Sequence, residues 1–436
     1  MSSFSPELLF LFSLVPVLQA ASSSSFQLPF LAVWNAPTAN CLSDYGVDLD
    51  LGSFNILHNQ NQTFMGSNIT IFYADKLGLY PRYSVQGKPI NGGVPQNSSL
   101  NDHLRVASDN IRKYIPERDF KGLAVVDWES WRPIWERNWD SKEVYWEGSR
   151  TIVRSKHPDW SPAQVEAAAR VEFEEAGRKF MEETVKLGQN MRPNGLWGYY
   201  GFPNCYNYYN DKNYTGECPP VDLKRNDELF WLWNVSSALY PDIYLSMEMR
   251  GLGREVLLYS HHRIQEAVRA AAKVTPSALP VFPYTRIVYT YTLDFLSKEH
   301  LVYTIGESAA LGSAGVVLWG DHNFSKSKAA CEAIKSYIDD TLGPYLVNVT
   351  SATVLCSQVL CSSQGRCQRR NQNSRTYLHL NPATWTVVSE KNPGGRRHYR
   401  VLGQMCAHDV QQMKSDFRCR CFPGWDGENC SKPNQR

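Results

Sequence analysis

Asp127 and Glu129 close the apolar run LAVVDWESWRP over residues 123–133, with tryptophans at 128 and 131. Four residues suited to a buried strand lead directly into two acids that a core would not hold unpaired. In an extended chain, residues two apart point the same way, so the two carboxyls are expected to share a face, separated by roughly 6–7 Å along the chain, with Trp128 on the other side. Crowded carboxyls resist double ionisation, and one keeps its proton to higher pH, as a general acid must. The competing reading is a structural strand end whose acids meet an arginine, and Arg132 is at hand. A three-residue motif does not decide between the two.

Carboxyls at a strand end need a frame. Apolar, β-rich runs at 31–34, 69–73, 123–126, 196–200, 243–245, 287–291 and 315–319 alternate with helical patterns at 100–114, 161–187, 254–273, 296–310 and 326–342. In the longest helix Ser161 caps, Pro162 takes the first helical position and Gln164 completes a capping box. The alternation predicts an α/β fold, either a barrel or a doubly wound sheet. Several runs end in aromatic or polar residues: Asn35, Tyr73, the acid pair, Tyr200, Tyr244 and Trp319. No glycine-rich phosphate loop competes, so a TIM-like (β/α) barrel with functional groups at the carboxyl ends of its strands is favoured. One aromatic at a strand end is ordinary packing, but the repetition of tyrosine fits a sugar-binding groove.

A chain of 436 residues, 43% hydrophobic, can bury one large core and a smaller one. A net charge of +2 argues against a general nucleic-acid binder. Residues 8–18 are apolar and are followed by Gln19, Ala20, Ala21 and a serine run, which reads as a signal peptide over 1–21, too short to span a bilayer. With a polar stretch at 431–436, neither a transmembrane nor a lipid anchor is expected. Glycosylation sequons begin at Asn61, Asn68, Asn97, Asn213, Asn234, Asn323 and Asn348; one at Asn429 is discounted because Cys430 is its middle residue. Eleven cysteines, crowded toward the C-terminus, suit an oxidising compartment. Cys41 and Cys331 could join the two ends of the barrel, and Cys205 with Cys218 could close a local loop. His261 and His262 lack further ligands nearby in sequence, so no metal and no cofactor is expected.

The chain resembles the animal hyaluronidases of glycoside hydrolase family 56. The matching segments are FLAVWNAPT near residue 30, TIFYADKLGLYP at 70–81, GGVPQNSSL at 92–100, LAVVDWESWRP at 123–133 and LWGYYGFPNCYN at 196–207, continuing with ALYPDIYL at 238–245, GESAALGSAGVVLWGD at 306–321 and LGPYLVNVT at 342–350. The resemblance implies endo-hydrolysis of hyaluronan, and more weakly chondroitin, at the β-1,4 bond after N-acetylglucosamine. It makes Glu129 the general acid, with Asp127 polarising the substrate's own acetamido group as nucleophile, a substrate-assisted retaining mechanism. Tyr200 and Tyr244 would surround the acetamido group, while Tyr73, Tyr284, Trp319 and Asn35 would line the groove. Arg263 is a candidate partner for a glucuronate carboxylate, or a brace behind the site.

Beyond Asn348, the six cysteines at 356, 361, 367, 419, 421 and 430 are similar in spacing to an EGF-like module interrupted by a long insertion. Spacing alone allows fifteen pairings; the resemblance implies Cys356–Cys367, Cys361–Cys419 and Cys421–Cys430. Cys406 is left over, as a free thiol within the insertion or an intermolecular linker, the first being preferred. The expected organisation is therefore a leader at 1–21, a catalytic barrel at 22–351 and the disulfide-rich module at 352–436, in a secreted or lysosomal monomer. The alternative function is a hyaluronan-binding or receptor-interacting protein that keeps the barrel with little turnover.

Overall fold

The computed structural model describes residues 28–210, 213–275, 277–391 and 397–434, so the expected leader lies outside the described residues. Seven short parallel strands carry the architecture: β1 (Leu31–Asn35), β2 (Ile56–His58), β3 (Ile69–Phe72), β4 (Leu123–Val126), β5 (Leu196–Tyr199), β6 (Tyr284–Thr285) and β7 (Gly315–Trp319). One sheet has the order β2-β1-β7-β6 and the other β3-β4-β5, with every pairing parallel. Residues 239–242 join the two sheets through parallel bridges from Tyr240 to Tyr200 and from Asp242 to Tyr284. Pro241 lacks an N–H, which keeps this segment from extending into a regular strand.

The ring is not closed by a backbone ladder. Between β2 and β3 the link is made by side chains: Asn59 Nδ2 donates to the Ile69 carbonyl at 2.8 Å, its Oδ1 accepts from the Asn68 and Ile69 amides, and Asn68 Nδ2 donates to the His58 carbonyl at 2.7 Å. The expected barrel is therefore a ring of parallel strands stapled by two asparagines rather than a continuous hydrogen-bonded cylinder. Two other expectations fail for local reasons. Residues 243–245 lie past Pro241 and do not pair as a strand. Residues 287–291 enter a tight reversal instead, with Tyr291 at φ 63° and an antiparallel bridge from Val288 to Phe295.

Strand residues are buried on both faces, as parallel sheets require. Leu31, Val33, Ile69, Ile71, Leu123, Val125, Tyr240, Phe282, Tyr284 and Val317 fill the interior of the ring. The alternate residues, Phe72, Ala124, Val126, Trp197 and Tyr199 among them, face the helices on one side. Gly198 admits the neighbouring chain: a Cβ there would sit 2.2 Å from the Ala238 carbonyl oxygen. The helices that matter here are α1 (Leu100–Tyr114), α2 (Glu143–Lys156), α3 (Pro162–Met191), α4 (Arg254–Ala272) and α5 (Gly343–Leu360). The capping box forms at Ser161 and Gln164, and α3 runs four residues beyond the expected end at 187.

Helix α5 crosses residues 351 and 352 without a break and carries Cys356 near its end. The cysteine pairs are Cys41–Cys331, Cys205–Cys218, Cys356–Cys367, Cys361–Cys419 and Cys421–Cys430, and Cys406 is a free, exposed thiol. The C-terminal segment shares a core with the ring: Leu378, Leu380, Tyr399 and Phe417 belong to the same buried cluster as Phe54, Leu342 and Leu346. It is also held by charge. Arg369 grips Glu307 with two bonds of 2.8 and 2.9 Å, both side chains are buried, and His261 Nδ1 lies 2.7 Å from the same carboxylate.

Candidate active site

The interior of the ring ends upward in partly buried aromatic residues, Tyr73, Tyr200, Tyr244 and Trp319, packed over the aliphatic core. The acid pair stands among them. Strand β4 stops at Val126, so Asp127 and Glu129 lie just past the strand rather than within it. The Asp127 amide still donates to the Phe72 carbonyl at 2.9 Å, which fixes where the loop departs. Trp128 turns away into the core, stacked on Tyr80 at 4.5 Å.

Asp127 and Glu129 line one open cleft of about 450 Å³ with Tyr73, Ala74, Asp75, Arg82 and Ser130. Their environments differ. Asp127 is half-buried, whereas the Glu129 side chain is 57% exposed. Burial, then the charge of Glu129 and a hydrogen bond shared with it, push the Asp127 carboxyl up to about 8. One carboxyl of the pair thus keeps a proton at neutral pH, and it is Asp127, because Asp127 is the one removed from water.

The surroundings favour a polar, ring-shaped guest. Trp319 Nε1 donates to Tyr73 Oη at 3.1 Å. Tyr244 stacks on Trp319 at 6.0 Å, and Tyr200 meets Tyr284 edge-on at 5.1 Å. Burial raises the pKa of Tyr73, Tyr200, Tyr244 and Tyr284, so all four remain neutral phenols able to donate. Two buried oxygens of the site, Asp127 Oδ1 and Tyr284 Oη, have no hydrogen-bond partner among the described residues. Buried polar atoms are normally satisfied, and exceptions concentrate where a ligand completes them.

Two expected groove residues are placed elsewhere. Arg263 is buried on α4, with Nε on Asn207 at 2.8 Å, Nη1 on Asp242 at 2.7 Å, and its plane over Tyr259 at 4.4 Å. Its guanidinium holds Asp242, two residues before Tyr244, a placement that matches the brace rather than the glucuronate partner of the two roles expected for it. Asn35 is fully buried at the end of β1, its Nδ2 directed at the Phe64 carbonyl at 3.5 Å, and so lies beneath the groove surface rather than on it.

Several neighbours escaped the sequence reading. Arg286 lies 4.8 Å over the Trp319 ring and pairs with Asp321 at 2.9 Å. It sits two residues after Tyr284, and that alternation was the available clue. Phe64 packs against both Tyr73 and Trp319, but nothing local to its sequence announces this. Asn61, Asn97, Asn213, Asn234 and Asn323 are exposed, whereas Asn68 and Asn348 are half-buried with their amides engaged.

A carboxyl pair in an aromatic cleft at the carboxyl-terminal edge of a ring of parallel strands has the parts that a glycoside hydrolase site requires. The hyaluronidase family model of glycoside hydrolases matches residues 19–434. Hyaluronidase-1 of Sus scrofa is 47% identical over 409 residues, covering 94% of this chain and 93% of that one. Hyaluronidase-1 of Homo sapiens is 47% identical, with 93% and 92% covered. Among solved structures, bee venom hyaluronidase in complex with a hyaluronic acid tetramer superposes with a TM-score of 0.67 at 35% identity, covering 72% of this chain and 98% of that chain. This chain belongs to the hyaluronidase family, glycoside hydrolase family 56. Among the described residues no helix is long and apolar enough to cross a membrane.

Proposed function

We propose that the protein is an endo-β-N-acetylhexosaminidase that cuts the β-1,4 bonds of hyaluronan, and chondroitin more slowly, with retention of configuration. The observation that carries this is the Asp127–Glu129 pair lining one cleft, Asp127 half-buried with its carboxyl pushed up by burial and by the neighbouring Glu129, and Glu129 facing the opening. Glu129 gives its proton to the glycosidic oxygen as the C–O bond breaks. The substrate's acetamido oxygen attacks the anomeric carbon, and Asp127 Oδ1 orients and polarises the amide N–H as the oxazolinium ring forms. Water, deprotonated by the Glu129 carboxylate, opens that ring from the face the leaving group vacated.

Tyr200, Tyr244 and Tyr284 supply phenolic donors around the acetamido group, and Trp319 with Tyr73 forms the wall for a sugar face. We read the frame as a (β/α) barrel with a C-terminal EGF-like module, joined by helix α5, which crosses the expected boundary at 351–352. Secretion or lysosomal delivery of a monomer fits the sequons and disulfides.

The test is Glu129→Gln. It keeps shape and removes the transferable proton, so turnover of long hyaluronan should fall by about 10²–10⁴-fold while the melting temperature is retained. Near-normal loss of polymer viscosity with this variant would remove Glu129 from the acid role.

A further inference from the structure

Glu129 is positioned through its main chain. No strand or helix holds it, since β4 ends at Val126, and its side chain is more exposed than buried. Its carbonyl oxygen nevertheless accepts hydrogen bonds from two cations: Arg132 Nη1 at 3.2 Å and Lys142 Nζ. The same Lys142 amine reaches the Ser130 carbonyl at 3.4 Å. Arg132 belongs to the acid loop itself, but Lys142 comes from a separate element, the 3-10 turn Asp140–Lys142 that leads into α2. Helix α2 packs on α3 through buried Tyr145, Ser149 and Val153, so the amine is carried on a rigid support. Among the described residues Lys142 has no salt bridge to a carboxylate. Its donors are spent on the backbone of the acid loop.

We propose that Lys142 is a positioning residue for the general acid: its ammonium pins the Glu129–Ser130 main chain. This rests on the hydrolase reading above. Burial, then the charge of Arg132, lowers the Lys142 pKa to about 8, so the ammonium is present through the acidic and neutral range. The groups facing the pair are Arg132 beside Lys142, and Asp127, Arg132, Tyr73 and Tyr200 around Glu129, with Asp75 and Arg82 lining the same cleft.

Lys142→Met keeps the stem and removes both the hydrogen bonds and the charge; Lys142→Arg keeps a permanent cation of similar reach. Hyaluronan turnover by the full chain is measured from pH 3 to 9 for wild type and both variants, with thermal melting as the folding check. In Lys142→Met, kcat should fall about tenfold with KM changed less than about twofold, as for a misplaced catalytic group. Lys142→Arg should restore most of kcat. If Lys142→Met does not fold, Lys142→Gln replaces it, with the same expectations. Unchanged kcat, or a lower kcat that Lys142→Arg does not restore, overturns the proposal. A wild-type protein that leaves hyaluronan intact refutes the hydrolase reading itself and takes this inference with it, whereas an active wild type with unaltered variants places the failure at Lys142 alone.

Discussion

Asp127→Asn separates the electrostatics of the acid pair from its chemistry. The variant keeps the shape of the side chain and can still donate to Glu129, but it cannot ionise. In the wild type, burial first and Glu129 second raise the Asp127 pKa from 3.8 to about 8. The folded protein therefore binds this proton more tightly than the unfolded chain does. The stability that follows is complete below about pH 4, declines as pH rises, and is fully lost once pH passes about 8. Each pH unit across that window is worth at most about 1.4 kcal/mol, so from pH 5 to 8 the wild type should lose up to about 4 kcal/mol relative to the variant. Because the proton is shared with Glu129, which responds when its partner is changed, about 1–3 kcal/mol is the expected gain. The assay is the denaturant midpoint of both proteins at pH 5, 6, 7, 8 and 9 at one ionic strength. The advantage of Asp127→Asn should grow to pH 8 and then level, while hyaluronan turnover falls at least about 10²-fold at every pH. Parallel stability curves between pH 5 and 8 would refute the argument that burial, not mere proximity, protonates Asp127.

Tyr284→Phe removes a buried hydroxyl that has no partner among the described residues; stability should rise by about 1 kcal/mol while kcat drops, and an unchanged kcat in the viscosity assay would leave that hydroxyl without a role in turnover. At the junction with the C-terminal segment, Glu307→Gln leaves Arg369 buried without its counter-charge and should cost about 3–5 kcal/mol. Pairing Glu307→Leu with Arg369→Met should recover most of that loss, as read from urea midpoints; a double variant as unstable as the single one would contradict the account of the buried pair.

Much of the frame follows from local sequence, because its causes are local. Uninterrupted apolar runs such as 123–126 and 315–319 suit strands buried between two layers, and Ser161, Pro162 and Gln164 mark a helix start through bonds spanning three residues. The acid pair was legible for the same reason: two carboxyls at the end of an apolar run are costly unless the site uses them.

Other features depend on what the chain brings near from far away. Strand β2 is three residues long and is defined only by its pairing with β1. Residues 287–291 have the composition of a strand, yet they turn back because Leu296 donates to the Ile287 carbonyl and Tyr289 to that of Asp294. Arg263 faces inward because Asn207 and Asp242, 56 and 21 residues away, await its guanidinium. The amino-acid sequence determined that two carboxyls would compete for a proton. Only the tertiary structure decided that Asp127 holds it, because desolvation depends on which neighbours close over each carboxyl, and no spacing within the motif encodes that.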